Sequence, residues 1–204
     1  MLIVGAGGLV LQMIDDLLSC GHNIVLWADM PVDRDILKNN FKIINTEEAV
    51  INELLIDNRF VICIGIPAKR KQLAEKFQKL GGILTSFTSP KANVSNFAEI
   101  SEGCVILHGT VIEAGVSMGK GCLINTGALL THECTIGNFV EIGPGAVLAG
   151  NAKVKDGAFI ATNTSILPKI VIGENAIVGA SALVNRNVDD NTVVAGVPAK
   201  RIPK

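Results

Sequence analysis

From Val94 onward, hydrophobic residues recur at every sixth position of the chain. Each sixth residue from Val94 to Val184 is Val, Ile, Leu or Met, and a second series two positions earlier, from Ala92 to Ala182, is mostly Ala, Cys, Thr or Val. Because side chains two positions apart point to the same side of a strand, each hexad predicts a short strand with one large and one small residue facing inward. Such repeats predict a parallel β-helix with three strands in each coil of about eighteen residues.

Residues 1–87 lack hexads and show a different pattern, in which short apolar strands alternate with amphipathic helices. The predicted strands are 2–4, 23–27 and 60–64, and the predicted helices are 9–19, 46–55 and 69–80. This alternation predicts a small open α/β domain with a parallel sheet, similar to a Rossmann fold. The turn-rich stretch 86–90 separates the two patterns, so we expect an α/β domain at 1–87 and a β-helix at 88–204.

A glycine-rich loop, Gly5-Ala6-Gly7-Gly8, follows the first strand and opens the first helix. Backbone N–H groups at such a position can bind a phosphate. The alternative is a tight strand–helix turn that requires glycine for steric reasons alone. Asp29 follows the second strand, where an acidic side chain can bind a ribose or sugar hydroxyl. The alternative for Asp29 is a solvated loop residue with no ligand.

Composition excludes several classes of function. The chain is 49% hydrophobic, has a formal net charge of −1, and is only 4% aromatic with no Tyr, which argues against nucleic-acid binding and against disorder. Five cysteines without a CxxC pair are typical of reduced thiols in a cytoplasmic protein. The apolar stretch 1–18 is interrupted by glycines and by Asp15 and Asp16, so we interpret it as folded protein and expect no membrane insertion.

Candidate chemistry centres on one histidine. His108 and His132 lie 24 residues apart, which places them on different faces of the predicted β-helix, so the sequence predicts no metal site. Glu133 directly follows His132. A His beside a carboxylate can act as a general base for acyl transfer, but a solvent-facing His on a solenoid is commonly inert.

The whole pattern resembles a known family. The residues that carry the resemblance are the glycine-rich loop, Asn125-Thr126, residues 132–137 (HECTIG), 148–151 (LAGN) and 196–201 (GVPAKR). They resemble left-handed β-helix acyltransferases with hexapeptide repeats, and with the α/β domain they look like sialic acid O-acetyltransferases and nucleotide-linked amino-sugar N-acetyltransferases of the bacillosamine-pathway type. The resemblance implies a homotrimer with active sites between subunits and acetyl-CoA as cosubstrate, without a metal.

The resemblance also assigns residues. It implies that His132 is the general base and Glu133 its orienting carboxylate, and that acetyl-CoA lies along the C-terminal coils. The implied donor-site residues are Gly150, Thr162, Ala180, Lys200 and Arg201. The implied nucleotide-sugar residues are Gly7, Gly8, Asp29 and Gly65 on the α/β domain, with Asn125 on the acceptor side.

The chain departs from the family pattern at two places. Glu141 stands where family members carry a His in a Phe-Val-His-Ile context, next to the acyl donor, and Leu9-Val10 replaces the usual continuation of the glycine-rich loop. We expect an acetyl-CoA-dependent N-acetyltransferase of a nucleotide-linked 4-amino sugar. The alternatives are an O-acetyltransferase of sialic acid or a related sugar, and an inactive β-helix scaffold or nucleotide-binding protein.

Overall fold

The computed structural model describes residues 1–202, and the chain divides into two compact units that meet between Phe87 and Thr88. The first unit is a five-stranded parallel sheet in the order β3-β2-β1-β4-β5. Its strands are β1 Leu2–Val4, β2 Val25–Trp27, β3 Lys42–Ile44, β4 Arg59–Ile62 and β5 Ile83–Leu84. Its helices are α1 Gly8–Ser19, α2 Asp35–Asn40, α3 Glu47–Ile56 and α4 Pro67–Lys79.

Local sequence explains several of these boundaries. The Thr46 side chain accepts a hydrogen bond of 3.2 Å from the Ala49 N–H and so caps the N-terminus of α3. The central strand β1 is completely buried, as expected for a parallel sheet covered on both faces. Neighbours β2 and β4 lie on either side of β1, so the strand order reverses there, which is where open α/β sheets bind ligands.

The second unit is a three-sided β-helix. Sheet one contains β7 Asn93–Val94, β10 Val111–Ile112, β13 Leu129–Leu130, β16 Val147–Leu148, β19 Ser165–Ile166 and β22 Leu183–Val184. Sheet two contains β8 Glu99–Ile100, β11 Ser117–Met118, β14 Thr135–Ile136, β17 Lys153–Val154 and β20 Val171–Ile172. Sheet three contains β6 Phe87–Thr88, β9 Val105–Ile106, β12 Leu123–Ile124, β15 Glu141–Ile142, β18 Phe159–Ile160, β21 Ile177–Val178, β23 Val193–Ala195 and β24 Lys200–Arg201.

The register of the β-helix follows the hexads. Leu130 pairs with Leu148, and Ile142 pairs with Ile160, so each residue lies beside the residue eighteen positions later. The large inward residues and the small residues two positions before them together form one continuous core, as the pattern predicts. Sheet three ends in β24, which pairs antiparallel with β23.

The coils turn at corners, and many corners contain one residue with positive φ. Glycine occupies many of these positions and asparagine four of them: Asn151, Asn163, Asn175 and Asn191. The glycines that follow the large inward residues have a different role, since their φ is not positive. At Gly143, for example, a Cβ would lie 2.8 Å from the Thr162 backbone nitrogen, so glycine is required there by the close approach of the next coil.

Candidate active site

His132 lies at the corner between sheet one and sheet two, in the segment that joins β13 to β14. The eighteen-residue coil places Glu113 beside it in the preceding coil and Gly150 beside it in the following coil. The Glu113 carboxylate accepts a hydrogen bond of 2.8 Å from the His132 backbone N–H. The backbone of His132 is therefore fixed from the N-terminal side.

The His132 ring contacts the Glu133 carboxylate. His132 Nδ1 lies 3.2 Å from Glu133 Oε2, so the carboxylate reaches the imidazole ring. The hydrogen bonds from His132 and then from Asn151 lower the pKa of Glu133, so its carboxylate stays ionised. An ionised acceptor at Nδ1 favours the tautomer with hydrogen on Nδ1, which leaves the Nε2 lone pair free to accept a proton.

Gly150 makes room for this ring. A Cβ built on Gly150 would lie 2.5 Å from both Cε1 and Nε2 of His132, far inside van der Waals contact. The backbone of Gly150 is not in the positive-φ region, so glycine is explained here by the imidazole alone. The side chains of His132 and Glu133 are 61% and 64% exposed.

Asn125 lies at another corner, between sheet three and sheet one, and not beside His132 within this chain. Its side chain is only 6% exposed. Its Nδ2 donates to the Ile142 carbonyl at 3.0 Å and to Glu141 Oε1 at 3.4 Å. Glu141 and Asn125 therefore form a pair, and this pair is separate from the His132 corner.

The predicted donor-site residues fall on two corners. Gly150 lies at the His132 corner, whereas Thr162 and Ala180 are exposed at the corner that contains Asn125. Lys200 and Arg201 form β24 and are also exposed. One chain thus does not bring the whole predicted donor set to His132.

The glycine-rich loop of the first unit connects β1 to α1. Gly5 has φ +129°, and a Cβ there would lie 2.6 Å from the Cys63 carbonyl oxygen, so this glycine is required by the fold. Gly7 and Gly8 differ from it, since a Cβ at either would meet nothing within 4 Å. Their small size leaves open space at the start of α1, whose N-cap residue Gly7 provides no side-chain hydrogen bond.

A cleft of about 250 Å³ opens beside this loop, at the carboxyl ends of β1, β2 and β4. Its lining residues are Gly5, Ala6, Gly7, Trp27 to Arg34, and Ile64. Of the residues predicted to bind the nucleotide-sugar, Gly7 and Asp29 line this cleft. Gly8 and Gly65 are not among the described residues that line it, and the Gly65 carbonyl accepts a hydrogen bond of 2.6 Å from Arg70 Nη1.

Lys69 is a residue that sequence reasoning missed. Its Nζ donates to Asp29 Oδ2 at 2.8 Å, and both side chains are about half exposed. The hydrogen bond from Lys69 lowers the pKa of Asp29. Lys69 lies in the first turn of α4, just after β4, and the carboxyl ends of parallel strands share one edge of a sheet. That placement is the sequence signal that could have identified it.

The described residues contain neither a metal-binding cluster nor a membrane-spanning helix. Residues 1–202 contain no group of three His, Cys, Asp or Glu side chains positioned to hold a metal ion. None of the helices in this range has the length and apolar character needed to span a bilayer.

The fold and the His132 corner define a class of protein, the hexapeptide-repeat transferases. The profile of the bacterial transferase hexapeptide (six repeats) matches residues 151–186, and the profile of the PglD N-terminal domain matches residues 1–77. The chain belongs to the hexapeptide-repeat acyltransferase family, in the group that carries a PglD-type N-terminal domain. The predicted family and the predicted left-handed β-helix with an N-terminal α/β domain are thereby confirmed.

Solved structures of similar proteins cover almost the whole chain. PerB from Caulobacter crescentus, in complex with CoA and GDP-perosamine, is 30% identical with a TM-score of 0.90, over 99% of this chain and 96% of that chain. The acetyltransferase domain of PglB from Neisseria gonorrhoeae, in complex with acetyl coenzyme A, is 30% identical with a TM-score of 0.88, over 98% of each chain.

Relatives of known activity match a shorter part of the chain. The serine acetyltransferase of Bacillus subtilis is 32% identical over 111 residues, which are 50% of this chain and 51% of that protein. The chain thus spans about half the length of this curated relative.

Proposed function

We propose that this protein is an acetyl-CoA-dependent N-acetyltransferase that acts on a nucleotide-linked 4-amino sugar. The observation that carries the proposal is the contact of His132 Nδ1 with Glu133 at 3.2 Å, on an imidazole that is largely exposed and lies against Gly150. The likeness to PerB, which binds CoA and GDP-perosamine, supports the choice of donor and acceptor.

The proposed reaction is direct transfer with His132 as general base. The acceptor nitrogen attacks the thioester carbonyl carbon of acetyl-CoA, and Nε2 accepts the proton that this nitrogen loses. The carbon–sulfur bond then breaks, and the CoA sulfur leaves with the proton returned by the imidazolium. Glu133 stabilises the imidazolium between these steps, and a backbone N–H stabilises the developing oxyanion.

A covalent enzyme intermediate through the neighbouring thiol is not part of the proposal. Cys134 is completely buried in the β-helix core, and its Sγ donates to the Ala149 carbonyl at 3.4 Å. Burial also raises the pKa of this thiol, which disfavours the nucleophilic thiolate.

The electrostatics of the His132 corner favour an amine over an anionic acceptor. Glu113 and Glu133 both place carboxylates against His132. Two negative charges attract the ammonium form of an amino sugar and repel the carboxylate of sialic acid. The ammonium loses one proton to solvent before the free amine attacks, and Nε2 accepts the second. This is why we prefer N-acetylation to O-acetylation of sialic acid.

We propose that the nucleotide occupies the cleft of the first unit. The open space at Gly7 and Gly8 lets the backbone approach a diphosphate, and Asp29 is positioned to accept a hydrogen bond from a ribose hydroxyl. Lys69 neutralises Asp29, so an anionic diphosphate is not repelled at this edge.

We also propose a homotrimer in which neighbouring subunits complete the site. The middle strands β10, β13 and β16 of sheet one have outward residues that are partly exposed and apolar: Val111, Leu129 and Val147. The matching strands β11, β14 and β17 of sheet two have polar outward residues: Ser117, Thr135 and Lys153. Since a single-chain surface rarely leaves an apolar ladder open, sheet one is suited to subunit contact. A second copy could then bring Asn125, Glu141, Thr162, Ala180, Lys200 and Arg201 to His132.

The test is a CoA-release assay with acetyl-CoA and a panel of acceptors. The panel contains UDP-, GDP- and dTDP-linked 4-amino sugars and free sialic acid, and the matched variants are His132→Ala and His108→Ala. We expect release with one amino sugar, a loss in kcat of at least about 10²-fold in His132→Ala, and no loss in His108→Ala. CoA release with sialic acid as the only active acceptor, or no CoA release with any acceptor of the panel, would overturn the proposal.

A further inference from the structure

A third side chain from the next coil completes the His132–Glu133 contact. Asn151 lies eighteen residues after Glu133, and its Nδ2 donates to Glu133 Oε2 at 3.0 Å. Its backbone N–H also donates to the His132 carbonyl at 3.1 Å. Asn151 is thus bonded to both members of the pair, once through its backbone and once through its side chain.

The same carboxylate oxygen receives both donors. Glu133 Oε2 lies 3.2 Å from His132 Nδ1 and 3.0 Å from Asn151 Nδ2. Without a second donor, a carboxylate that is 64% exposed is free to rotate into water. The Asn151 amide removes this freedom, because it fixes the oxygen at the position where Nδ1 needs an acceptor.

We infer that Asn151 is a positioning residue for the general base, acting through Glu133 rather than on the substrate. The inference rests on the proposed role of His132. Asn151 holds the Glu133 carboxylate against Nδ1, which keeps hydrogen on Nδ1 and the Nε2 lone pair directed at the acceptor. The arrangement is a three-residue relay that spans two coils: His132, Glu133 and Asn151.

An asparagine is common at a left-handed corner, so the position alone does not carry the inference. Asn151 has φ +62°, and Asn175 has φ +51° at an equivalent turn of another corner. The Asn175 amide reaches only the Asn191 amide oxygen, at 3.5 Å. The Asn151 amide instead reaches a carboxylate that contacts an imidazole, and this contact is what distinguishes it.

The pair Asn151→Gly and Asn175→Gly tests the inference. Glycine accepts positive φ without strain, so both variants remove an amide and leave the corner intact. We expect kcat to fall about 10-fold in Asn151→Gly, with both KM values within about twofold of wild type, because the relay affects proton transfer and not binding. The acid limb of the pH–kcat profile should also move to lower pH, because the imidazolium loses part of its stabilisation. Asn175→Gly should match wild type in all three.

A second measurement does not depend on turnover. Imidazole ¹⁵N shifts at about pH 8.5, where neutral histidine predominates, report which ring nitrogen carries hydrogen, and His132→Ala identifies the signals. We expect the Nδ1–H tautomer in wild type and a shift toward Nε2–H in Asn151→Gly. Unchanged tautomer, kcat and pH profile in Asn151→Gly would overturn the inference. A wild-type enzyme without acetyl transfer would instead refute the proposed function, and the tautomer would still decide the role of Asn151.

Discussion

Replacing Gly150 with alanine is the sharpest test of the His132 geometry. The new Cβ would lie 2.5 Å from Cε1 and Nε2, and ordinary contact begins near 3.5 Å, so the ring must move by about 1 Å. A misplacement of about 1 Å at a catalytic group can cost about 10²-fold in rate, which corresponds to about 2.7 kcal/mol in the barrier. We therefore expect kcat to fall about 100-fold in Gly150→Ala.

The same substitution should leave the fold intact. The φ of Gly150 is outside the positive region, and the displaced ring is largely exposed, so it can swing into water. Alanine at a compatible glycine site commonly stabilises a protein by about 0.4–1 kcal/mol through the unfolded state. The unfolding midpoint of Gly150→Ala should be equal to or above that of wild type. Gly109→Ala should instead lower the unfolding midpoint and leave kcat unchanged. The reason is that Gly109 has φ +70°, which strains alanine, while a Cβ there would make only ordinary contacts.

The assay is steady-state CoA release, with KM for acetyl-CoA determined separately. A loss confined to kcat indicates that the ring was displaced, whereas a raised KM for acetyl-CoA would show that Gly150 lines the donor site as the family resemblance implies. The double variant His132→Ala/Gly150→Ala should be no slower than His132→Ala alone, since both changes act on one group. Wild-type kcat in Gly150→Ala would refute the reasoning.

Three further predictions concern the first unit and the thiols. Lys69→Met should weaken the binding of a nucleoside diphosphate about 10-fold at low salt, as measured by calorimetry. This loss of affinity should become smaller as the salt concentration rises, and it should be absent when the ligand is the nucleoside without phosphates. Asp57 receives two hydrogen bonds from the Arg59 guanidinium and one from the Arg59 backbone N–H, which hold the pKa of Asp57 well below the usual range. Its contribution to stability is therefore fully present at neutral pH and is lost progressively as the pH falls below the ordinary carboxyl pKa of about 4. Asp57→Asn should lower the unfolding midpoint at pH 7, and the difference from wild type should shrink steadily as the pH falls below about 4. Cys20 should react alone in a native thiol titration, because the other four thiols are buried, and burial raises the pKa of Cys63 to about 12.

The β-helix was predictable because its repeat is short and its period is constant. Every hexad has the same pattern of one large and one small inward residue, so the strand positions and the inward residues follow from the six-residue period alone. The pairing of Leu130 with Leu148, one coil of eighteen residues later, agrees with this period. The first unit was predictable only in part. Helix α2 was missed because only Leu37 of its six residues is buried, and β3 was missed because its three residues carry no alternation.

The site divides in the same way. His132 and Glu133 stand next to each other in the sequence, so their chemistry could be proposed from the residues. Gly150 and Asn151 follow them by eighteen residues, and adding one coil would have identified them as neighbours. The contact of Lys69 with Asp29 joins the first turn of α4 to the loop after β2, forty residues away in the sequence, and no repeat predicts it.

Backbone conformation gives an independent reason to assign a function to Glu133. Its φ is +60°, a conformation that strains most residues. Glycine adopts it without strain, and asparagine is strained less than other residues. Phe139 shares this conformation, but it is buried, and its ring covers Gly121, so packing offsets the strain. Glu133 is mostly exposed and gains no such packing. Its contact with His132 is the interaction that this glutamate provides and that a glycine could not.

If the backbone strain at Glu133 is retained for activity, glycine substitutions at two strained positions should differ in their effect on kcat. Lys169 has φ +63° one coil beyond Asn151 and is also exposed, so Glu133→Gly and Lys169→Gly remove the same strain. Both should raise the unfolding midpoint by about 2 °C. Glu133→Gly alone should lower kcat, by about 10-fold or more, since only Glu133 orients an imidazole. Equal activity in the two variants would show that the left-handed glutamate is an accident of the corner, and equal stability loss would show that glycine does not relieve strain there.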